Sequence, residues 1–278
     1  MSASKTPEIV IYHVEGRRSL RVVWTCEELE LPYKLVFKQG DILGSLVQIR
    51  NAHPSMPITP VVAIDGVHMV ESGAIIEALA TRYGNGRMVP DVHGPDYLHY
   101  LQWLHFAEAT LMSRLAQNRF ISIATRIPVN ALPPGYRNGK DAKDAIMMVG
   151  PEQSFQYADE FLAEKPFFGG ADFSVADVAM HYALRGAKLM VGIDTSEYPN
   201  VQRWRERVEA RPSFPRAVKA ACPTGMNEYL LPEGHPLPFK PVGPLGFGGR
   251  LTAKVLSKLM VKLTDNAKKQ GLEMSSQP

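Results

Sequence analysis

A change in hydrophobic periodicity near residue 90 constrains the fold of this chain more than any other feature. Before that point, short apolar runs rich in β-branched residues alternate with helical segments, and after it only helical spacing occurs. Four runs are typical of strands, and they are Ile9–Val14, Lys34–Phe37, Pro60–Ile64 and Val67–Val70. The sequence therefore predicts two domains of different class rather than one uniform bundle or sheet.

The first region, residues 1–86, is predicted to be an α/β domain. A helix starts at Ser19, whose hydroxyl can cap it, and ends where Pro32 cannot continue it. A weaker helical segment, 41–50, follows the second strand, and a helix at 72–83 follows the fourth. The order βαβ–ββα requires a parallel first pair with a right-handed crossover and an antiparallel hairpin at Asp65-Gly66. One mixed four-stranded sheet with helices on its faces satisfies this order.

The second region, residues 87–228, is predicted to be all-α. A long amphipathic helix begins near Pro95, and helical spacing returns at 154–162, 175–189 and 201–210 after a proline-rich loop at 127–143. Ser174 and Asp177 have the spacing of a capping box at the start of the 175–189 helix. The remaining residues, 229–278, form a Pro/Gly-rich extension with a possible basic amphipathic helix at 251–263.

Composition excludes several classes of protein. The 278 residues carry 31 Lys and Arg against 28 Asp and Glu, a formal charge of +3 that is too near balance for a nucleic-acid binder. Two cysteines, Cys26 and Cys222, cannot build a disulfide framework, and no Cys/His cluster has zinc spacing. We therefore expect no metal and a reduced, cytoplasmic setting, with neither a secretory signal nor a membrane-spanning stretch of ~20 apolar residues.

Six segments, in order, resemble the motifs of one known family. The first is Arg18–Tyr33 in the first helix, and the second is the loop His53–Val62 with its proline before the third strand. The others are Asp65–Ile75, Tyr83–Arg87, Tyr100–Glu108, and Phe173–Asp177 together with Trp204–Pro212. From about Ile9 to Ala221 the sequence is similar to the cytosolic glutathione S-transferases of the bacterial and fungal branch.

The resemblance implies a thioredoxin-like first domain, an all-helical second domain and glutathione as co-substrate. It also implies a detoxifying transferase that acts on a small hydrophobic electrophile as a homodimer. Glu71 and Ser72 lie at a strand-to-helix junction, where a carboxylate can receive an ammonium, and a hydroxyl with free helix N–H groups can receive a carboxylate. The family holds the γ-glutamyl end of glutathione there, and the residue before a cis-proline, Thr59 before Pro60, pairs with the cysteinyl backbone.

The thiol of glutathione must become a thiolate to react. A hydroxyl aimed at sulfur near a helix N-terminus would stabilise that anion. Ser19 is the first candidate, and Tyr12, at the end of the first strand, is the second. The family's usual first serine is replaced by Arg17, so a backbone or arginine-assisted site is the third alternative, in which Arg18 contributes positive potential. Cys26, two turns into an apolar helix, is interpreted as a buried structural cysteine.

An acceptor pocket is expected between the domains, lined by Tyr12 or His13, Trp103, Phe106, Met112 and Arg114, with room for an anionic group of the electrophile near Arg114 or Arg119. Helix–helix core is an equally good interpretation of each lining residue singly. Three alternatives to a transferase stay open: cleavage of an aryl ether, reduction of a peroxide, and a non-catalytic binding module on the same fold. The extension from Lys240 onward has a net charge of +5 and a lysine stripe. Packing along the protein, over the pocket mouth or across a dimer, is preferred to contact with an anionic membrane surface.

Overall fold

The computed structural model describes residues 6–118, 151–191, 193 and 195–225. Four strands form one sheet: β1 (Ile9–Tyr12), β2 (Lys34–Val36), β3 (Val61–Ile64) and β4 (Val67–Met69). Their order is β2-β1-β3-β4, with β1 parallel to β2 and antiparallel to β3, and β3 antiparallel to β4. The predicted mixed sheet with a parallel first pair and a hairpin is therefore confirmed.

Three helices belong to the sheet domain: α1 (Ser19–Leu29), α2 (Ile42–Ala52) and α3 (Ser72–Tyr83). The main core includes Ile9 and Ile11 of β1 together with apolar residues of α1 and α3. A smaller cluster of Val14, Ile49 and Val61 lies against Tyr12 on the side of the sheet that α2 covers. The alternation of side chains along β1 thus divides the domain into two layers of unequal size.

The second domain is helical throughout its described residues. It contains α4 (Tyr97–His105), α5 (Pro151–Glu164), α6 (Val175–Val191), α7 (Pro199–Glu209) and α8 (Ser213–Ala221), and a 3₁₀ turn at Thr195–Glu197. After α4 the chain continues without a break through a π-helical segment, Phe106–Met112. The two domains are packed together chiefly because α1 lies against α8 and α6.

The capping box predicted for α6 is present. The Asp177 carboxylate accepts hydrogen bonds from the Ser174 backbone N–H at 2.9 Å and from the Ser174 hydroxyl at 3.0 Å. The other Asp177 oxygen accepts from the Trp204 indole N–H at 2.8 Å and from the Phe168 N–H at 2.7 Å. Burial raises the pKa of this carboxyl group, and the four donors act in the opposite direction. Asp177 therefore ties the start of α6 to α7.

The structure corrects two details of the sequence analysis. Ser19 does not cap α1: Arg18 occupies the N-cap position without a side-chain cap bond, because the Ser19 hydroxyl is hydrogen-bonded to His13 instead. Helix α8 was missed, since the segment after Pro212 is short and contains a second proline, Pro215, in its first turn. The predicted loop at 127–143, Arg119 and the extension 229–278 lie outside the described residues.

Candidate functional site

A cavity of about 270 Å³ opens where the sheet domain meets the helical domain. Its lining residues come from the start of α1, the loop before β3, the start of α3 and the π-helical segment, and they are Arg18, Ile58, Thr59, Glu71, Ser72 and Glu108. Four of these were predicted as site residues from the sequence. The pocket lies just below the usual size range for small-molecule sites, about 300–1,000 Å³, and has a mainly polar lining.

Glu71 has an unusual backbone conformation at the edge of the pocket. Its φ of 72° lies in the region that side chains other than glycine rarely adopt, and it occupies the N-cap position of α3. Such a conformation persists only where surrounding structure enforces it, and functional sites are where it concentrates. Glu71 presents an exposed carboxylate directly beside the first turn of α3. That carboxylate is available to a cationic group.

Ser72 is nearly buried, and the direction of its hydrogen bond decides what its hydroxyl can do. The Arg21 guanidinium donates to Ser72 Oγ from Nη1 at 2.9 Å. Since a guanidinium has only donors, this bond uses a lone pair of the serine oxygen and leaves the serine proton free. The hydroxyl can therefore donate to an anion in the pocket. The first N–H groups of α3, which have no partner within the helix, lie beside it.

Arg21 is fully buried and connects three elements. Besides Ser72 it donates to the carboxylate of Glu108 and to the Ala179 carbonyl of α6, the latter at 2.6 Å. Burial lowers the pKa of the guanidinium, and the charge of Glu108 opposes that effect. A buried arginine is tolerated in this position because both of its terminal nitrogens, Nη1 and Nη2, have hydrogen-bond partners. Arg21 thus links the N-terminus of α3 to the π-helical segment and to α6.

Glu108 enters the pocket from the π-helical segment. One of its oxygens accepts from Arg21, and the other lies 3.2 Å from Arg18 Nε. Arg18 is about two-fifths exposed, so its guanidinium reaches toward solvent while Arg21 does not. Local π-helical turns are frequent at functional sites because the extra residue re-aims a side chain. The result is a pocket wall with two cations, of which only Arg18 is accessible to a ligand.

The loop before β3 supplies the third wall. The Thr59-Pro60 peptide bond is cis, as the resemblance implied, and Pro60 itself is buried. The Thr59 hydroxyl is buried without a hydrogen-bond partner in the described structure, and Ile58 is 40% exposed beside it. Within this loop, at Ser55–Ile58, the chain makes a turn in which the Ile58 N–H donates to the Met56 carbonyl at 2.9 Å. Thr59 therefore lies at the pocket with its backbone beside the opening.

Ser19 lies away from this pocket wall. It is fully buried, and its Oγ is 2.7 Å from His13 Nδ1, while His13 Nε2 is 2.5 Å from the Ala221 carbonyl. A carbonyl can only accept, so Nε2 carries the ring proton and Nδ1 must accept the proton of Ser19. Burial lowers the pKa of His13 to about 4, which keeps the ring neutral. The hydroxyl of Ser19 is thus already engaged.

Tyr12 and Cys26 are also outside the pocket lining. Tyr12 packs with the α2-side cluster, and its ring centroid lies 6.3 Å from that of His68. Cys26 is completely buried, and burial raises the pKa of its thiol. The interpretation of Cys26 as a structural cysteine is therefore confirmed, because a buried thiol of this kind is inert.

The residues proposed for an acceptor pocket are mostly core. Trp103 is fully buried in an aromatic cluster with Phe106 and Tyr157, whose ring centroids lie 5.0 Å from its own. Met112 is 5% exposed, and Arg114 is half-buried with a hydrogen bond to Gln117. None of these residues lines the 270 Å³ cavity. The other interpretation of these residues, that they form helix–helix core, therefore applies to Trp103 and Met112.

Sequence reasoning gave no role to Arg21 or Glu108. The signal for Arg21 was present: a charged residue between Leu20 and Val22 in an otherwise apolar run must be paired if it is buried. Glu108 had no comparable signal, because it lies 87 positions from Arg21 in sequence. Its contribution could only be found once the two domains were packed together.

Comparison with known proteins agrees with this arrangement. Residues 126–212 match the family described as glutathione S-transferase, C-terminal domain. Glutathione S-transferase 3 of Schizosaccharomyces pombe is 29% identical over 213 residues, which is 74% of this chain and 84% of that protein. The disulfide-bond oxidoreductase YfcG of Escherichia coli is 24% identical over 77% of this chain and 95% of its own length.

The fold is also similar to solved structures. A theta-class glutathione S-transferase from Xanthomonas axonopodis pv. citri, crystallised with glutathione bound, superposes with a TM-score of 0.54 at 22% identity. The match covers 76% of this chain and 97% of that one. Among the described helices none combines the length and apolarity needed to cross a bilayer. The described residues likewise contain no cluster of three or more His, Cys, Asp or Glu placed to hold a metal ion.

Proposed function

We propose that this chain, which belongs to the cytosolic glutathione S-transferase family, binds glutathione in the 270 Å³ cavity and transfers its sulfur to a hydrophobic electrophile. The observation that carries the site is the meeting of Glu71, Ser72, Thr59 and Arg18 in one pocket. These four residues come from three separate elements and were each selected from the sequence for one part of the tripeptide. The proposed domain boundaries are residues 86 and 228, with the extension beginning at 229.

The γ-glutamyl end fits the start of α3. Its ammonium is placed at the exposed Glu71 carboxylate, and its α-carboxylate at the Ser72 hydroxyl and the N–H groups of the first helical turn. The positive end of the helix dipole favours that carboxylate. Arg21 supports this contact by occupying the serine oxygen, so the serine proton is directed to the ligand. The cysteinyl part then runs along the backbone of Thr59, next to Pro60.

For activation of sulfur we propose the arginine- and backbone-assisted alternative. Arg18 precedes α1, lines the pocket and is accessible, whereas the hydroxyls of Ser19 and Tyr12 do not reach the lining. A cation and a helix N-terminus both stabilise a thiolate and lower its pKa. The thiolate then forms a bond from sulfur to an electrophilic carbon, whose leaving group departs with its electron pair. Ser19 acts as a positioning residue for the loop that holds Arg18.

The finer assignments are proposals that rest on family membership. We infer a homodimer, a cytoplasmic location and a role in detoxification, since these accompany the family. The electrophile is proposed to be small and hydrophobic. No metal and no nucleic acid enter the proposed reaction.

The test combines calorimetry with absorbance of the thiolate. Isothermal titration of the full chain with glutathione should give a Kd at or below the millimolar range, and Glu71→Gln with Ser72→Ala should weaken it. The thiolate absorbance of bound glutathione should then titrate below its value in free solution, ~8.5 for an ordinary thiol. Absence of binding at millimolar glutathione would overturn the proposal.

Two further outcomes identify the alternatives. A chain that binds glutathione without lowering the pKa of its thiol would be a binding module. A chain that reduces a mixed disulfide faster than it conjugates an aryl halide would behave like the disulfide-bond oxidoreductase that it resembles at 24% identity.

A further inference from the structure

Helix α2 exposes an apolar face. Leu43, Leu46 and Val47 are 73%, 38% and 57% exposed, although they lie at positions i, i+3 and i+4 of one helix. Single exposed apolar residues are ordinary, whereas three on one helical face form a contiguous patch that usually has a partner. The opposite side of α2 is anchored in the normal way, since Ile49 is fully buried. We call Leu43, Leu46 and Val47 the α2 face.

The chain leaves the described structure beside this face. The Glu15 carboxylate, which is almost fully buried, accepts from the Gly40 N–H at 2.6 Å with one oxygen. Its other oxygen accepts from the Thr224 hydroxyl at 2.8 Å and from the Thr224 N–H at 3.2 Å. Gly40 is two residues before α2 begins, and Thr224 is one residue before the last described residue, Gly225. The exit point is therefore fixed at the N-terminal end of α2.

Two more contacts hold the exit in place. His13 Nε2 donates to the Ala221 carbonyl, and the Cys222 thiol is hydrogen-bonded to the backbone of Gly16. Three successive parts of the 221–224 segment are thus bound to the loop between β1 and α1. The last described residues are therefore held at the loop between β1 and α1, next to Gly40 and the start of α2.

We propose that the C-terminal extension, residues 229–278, packs its apolar stripe against the α2 face of the same chain. The stripe consists of Val255, Leu256, Leu259, Met260 and Leu263, which share one side of a helical projection. Lys254, Lys258 and Lys262 fall on a neighbouring stripe of that projection, and their long side chains would leave the ammonium groups in water. The extension supplies the apolar side chains that the α2 face lacks, and it needs no second molecule.

The connecting segment is long enough for this contact. Residues 226–250 separate the exit from the stripe. A flexible chain of that length has a root-mean-square span of about 25–30 Å, while the 11 residues of α2 are only about 16 Å long. Every position on the α2 face therefore lies within ordinary reach. Tethering at this distance gives an effective concentration in the millimolar range, so even a small apolar contact is populated.

The dimensions of the face also favour this occupant over a second copy of the chain. Stable association between separate proteins needs about 800 Å² from each partner. Three side chains on one short helix cannot supply that area. A tethered segment loses little translational entropy when it binds, because it is already covalently connected to the rest of the chain.

Photocrosslinking in the full chain tests the proposal. A benzophenone amino acid placed at position 47 should crosslink to residues 251–263. The matched control is the same group at Val92, whose exposure of 56% nearly equals the 57% of Val47. Mixing ¹⁴N- and ¹⁵N-labelled chains before irradiation separates crosslinks within one chain from those between chains.

Two substitution pairs sharpen the result. Val255→Glu with Leu259→Glu should abolish the crosslink and speed hydrogen exchange of α2 amides about tenfold. Lys258→Glu with Lys262→Glu should change neither, because the proposed contact uses the apolar stripe and not the lysines. Neither pair includes a residue that lines the proposed glutathione site, so glutathione affinity can be measured separately as a check on the proposed function.

Three results would overturn the proposal. The first is crosslinks that join ¹⁴N to ¹⁵N chains, which would make a second copy the occupant. The second is exchange in α2 that slows only when vesicles with anionic lipid are added and is abolished by the lysine substitutions, which would make the occupant a membrane. The third is exchange in α2 that is unaffected by the Val255 and Leu259 substitutions.

Discussion

Ser72 and Ser19 are both nearly buried serines at the first position of a helix, yet their hydroxyls have opposite availability. Ser72 accepts from Arg21, so its proton is free for a ligand. Ser19 is paired with a histidine nitrogen that has no proton, so its own proton is used inside the protein. The first serine opens onto the 270 Å³ cavity, and the second belongs to a closed network.

The difference shows that a serine cannot be assigned from its position alone. What decides its chemistry is the partner that the rest of the chain brings to it. For Ser72 the partner is a cation with only donors, and for Ser19 it is a neutral imidazole whose other nitrogen is committed to a carbonyl. The following changes alter one of these partners or one of the hydroxyls.

The largest loss of unfolding free energy is expected from Arg21→Met. This change leaves the carboxylate of Glu108 and the Ser72 oxygen without their buried partner, and breaking such a pair costs about 3–5 kcal/mol. Urea denaturation should show the loss of unfolding free energy. Arg18→Met is the matched control, because Arg18 contacts the same Glu108 from a site about two-fifths exposed. Solvent screening limits its effect to about 0–1 kcal/mol. Equal losses for both arginines would contradict the assignment of Arg21 as the organiser of the pocket.

Ser72→Ala and Ser19→Ala compare the two hydroxyls directly. Ser72→Ala removes a hydrogen bond to the charged α-carboxylate, worth about 1.5–3 kcal/mol, so the Kd for glutathione should rise about 10- to 100-fold. Ser19→Ala leaves His13 Nδ1 unpaired in the interior and should reduce the unfolding free energy by about 1–3 kcal/mol. Calorimetry measures the first effect and denaturation the second.

The reverse pattern would restore Ser19 as the donor to sulfur. In that case Ser19→Ala would raise the pKa of bound glutathione while Ser72→Ala would leave its affinity unchanged. Thiolate absorbance of the bound tripeptide distinguishes the two patterns, since it reports on sulfur alone.

Much of the sheet domain could be predicted from the sequence because its rules are local. The β-branched run at the start gives β1, Asp65-Gly66 gives the hairpin, and Glu71-Ser72 marks the start of α3. Each of these depends on residues within a few positions of one another. The same locality explains why the capping box at Ser174 was recognised correctly.

The hydrogen-bond directions could not be predicted, because they depend on distant residues. His13 meets a carbonyl 208 positions away, and Arg21 reaches one 158 positions away. The serine at position 19 has the local signature of a helix cap, and only the packing of α8 against α1 gives His13 the tautomer that engages it. Family resemblance selected Ser72, which lines the cavity, but it carried no information on Arg21.

Stability should depend on pH through the closed network. Burial lowers the pKa of His13 to about 4 from an ordinary 6.5, with Glu15 and the Ala221 carbonyl opposing the shift. The unfolded chain therefore binds a proton at a pH where the folded chain does not, and stability is lost as pH falls from about 6.5 toward 4. Between pH 7 and pH 5, His13 alone should lower the free energy of unfolding by about 2 kcal/mol.

Urea denaturation at the two pH values checks this expectation, with His13→Gln as the comparison. Buried His181 also has a lowered pKa, so it too should reduce the free energy of unfolding as the pH falls. The His13→Gln variant should therefore keep part of the dependence of that free energy on pH. An unchanged slope in His13→Gln would show that His13 binds a proton equally well in the folded and the unfolded chain. Burial would then not lower its pKa, and the neutral ring that accepts the Ser19 proton would not be favoured.

The smallest effect is expected from Tyr12→Phe, which probes a hydroxyl that belongs neither to the pocket nor to the closed network. Tyr12 packs on the α2 side of the sheet beside His68, outside the residues that line the cavity. Because the ring keeps its packing and the lost hydroxyl touches no reacting atom, kcat/KM should stay within about twofold. The steady-state rate of conjugation of glutathione to an aryl halide gives kcat/KM for the variant and for the unchanged chain. A loss of a hundredfold or more would place the phenol at sulfur and make this a tyrosine-type transferase. Ser72 would then remain the ligand-facing serine, and the comparison with Ser19 would no longer bear on activation of the thiol.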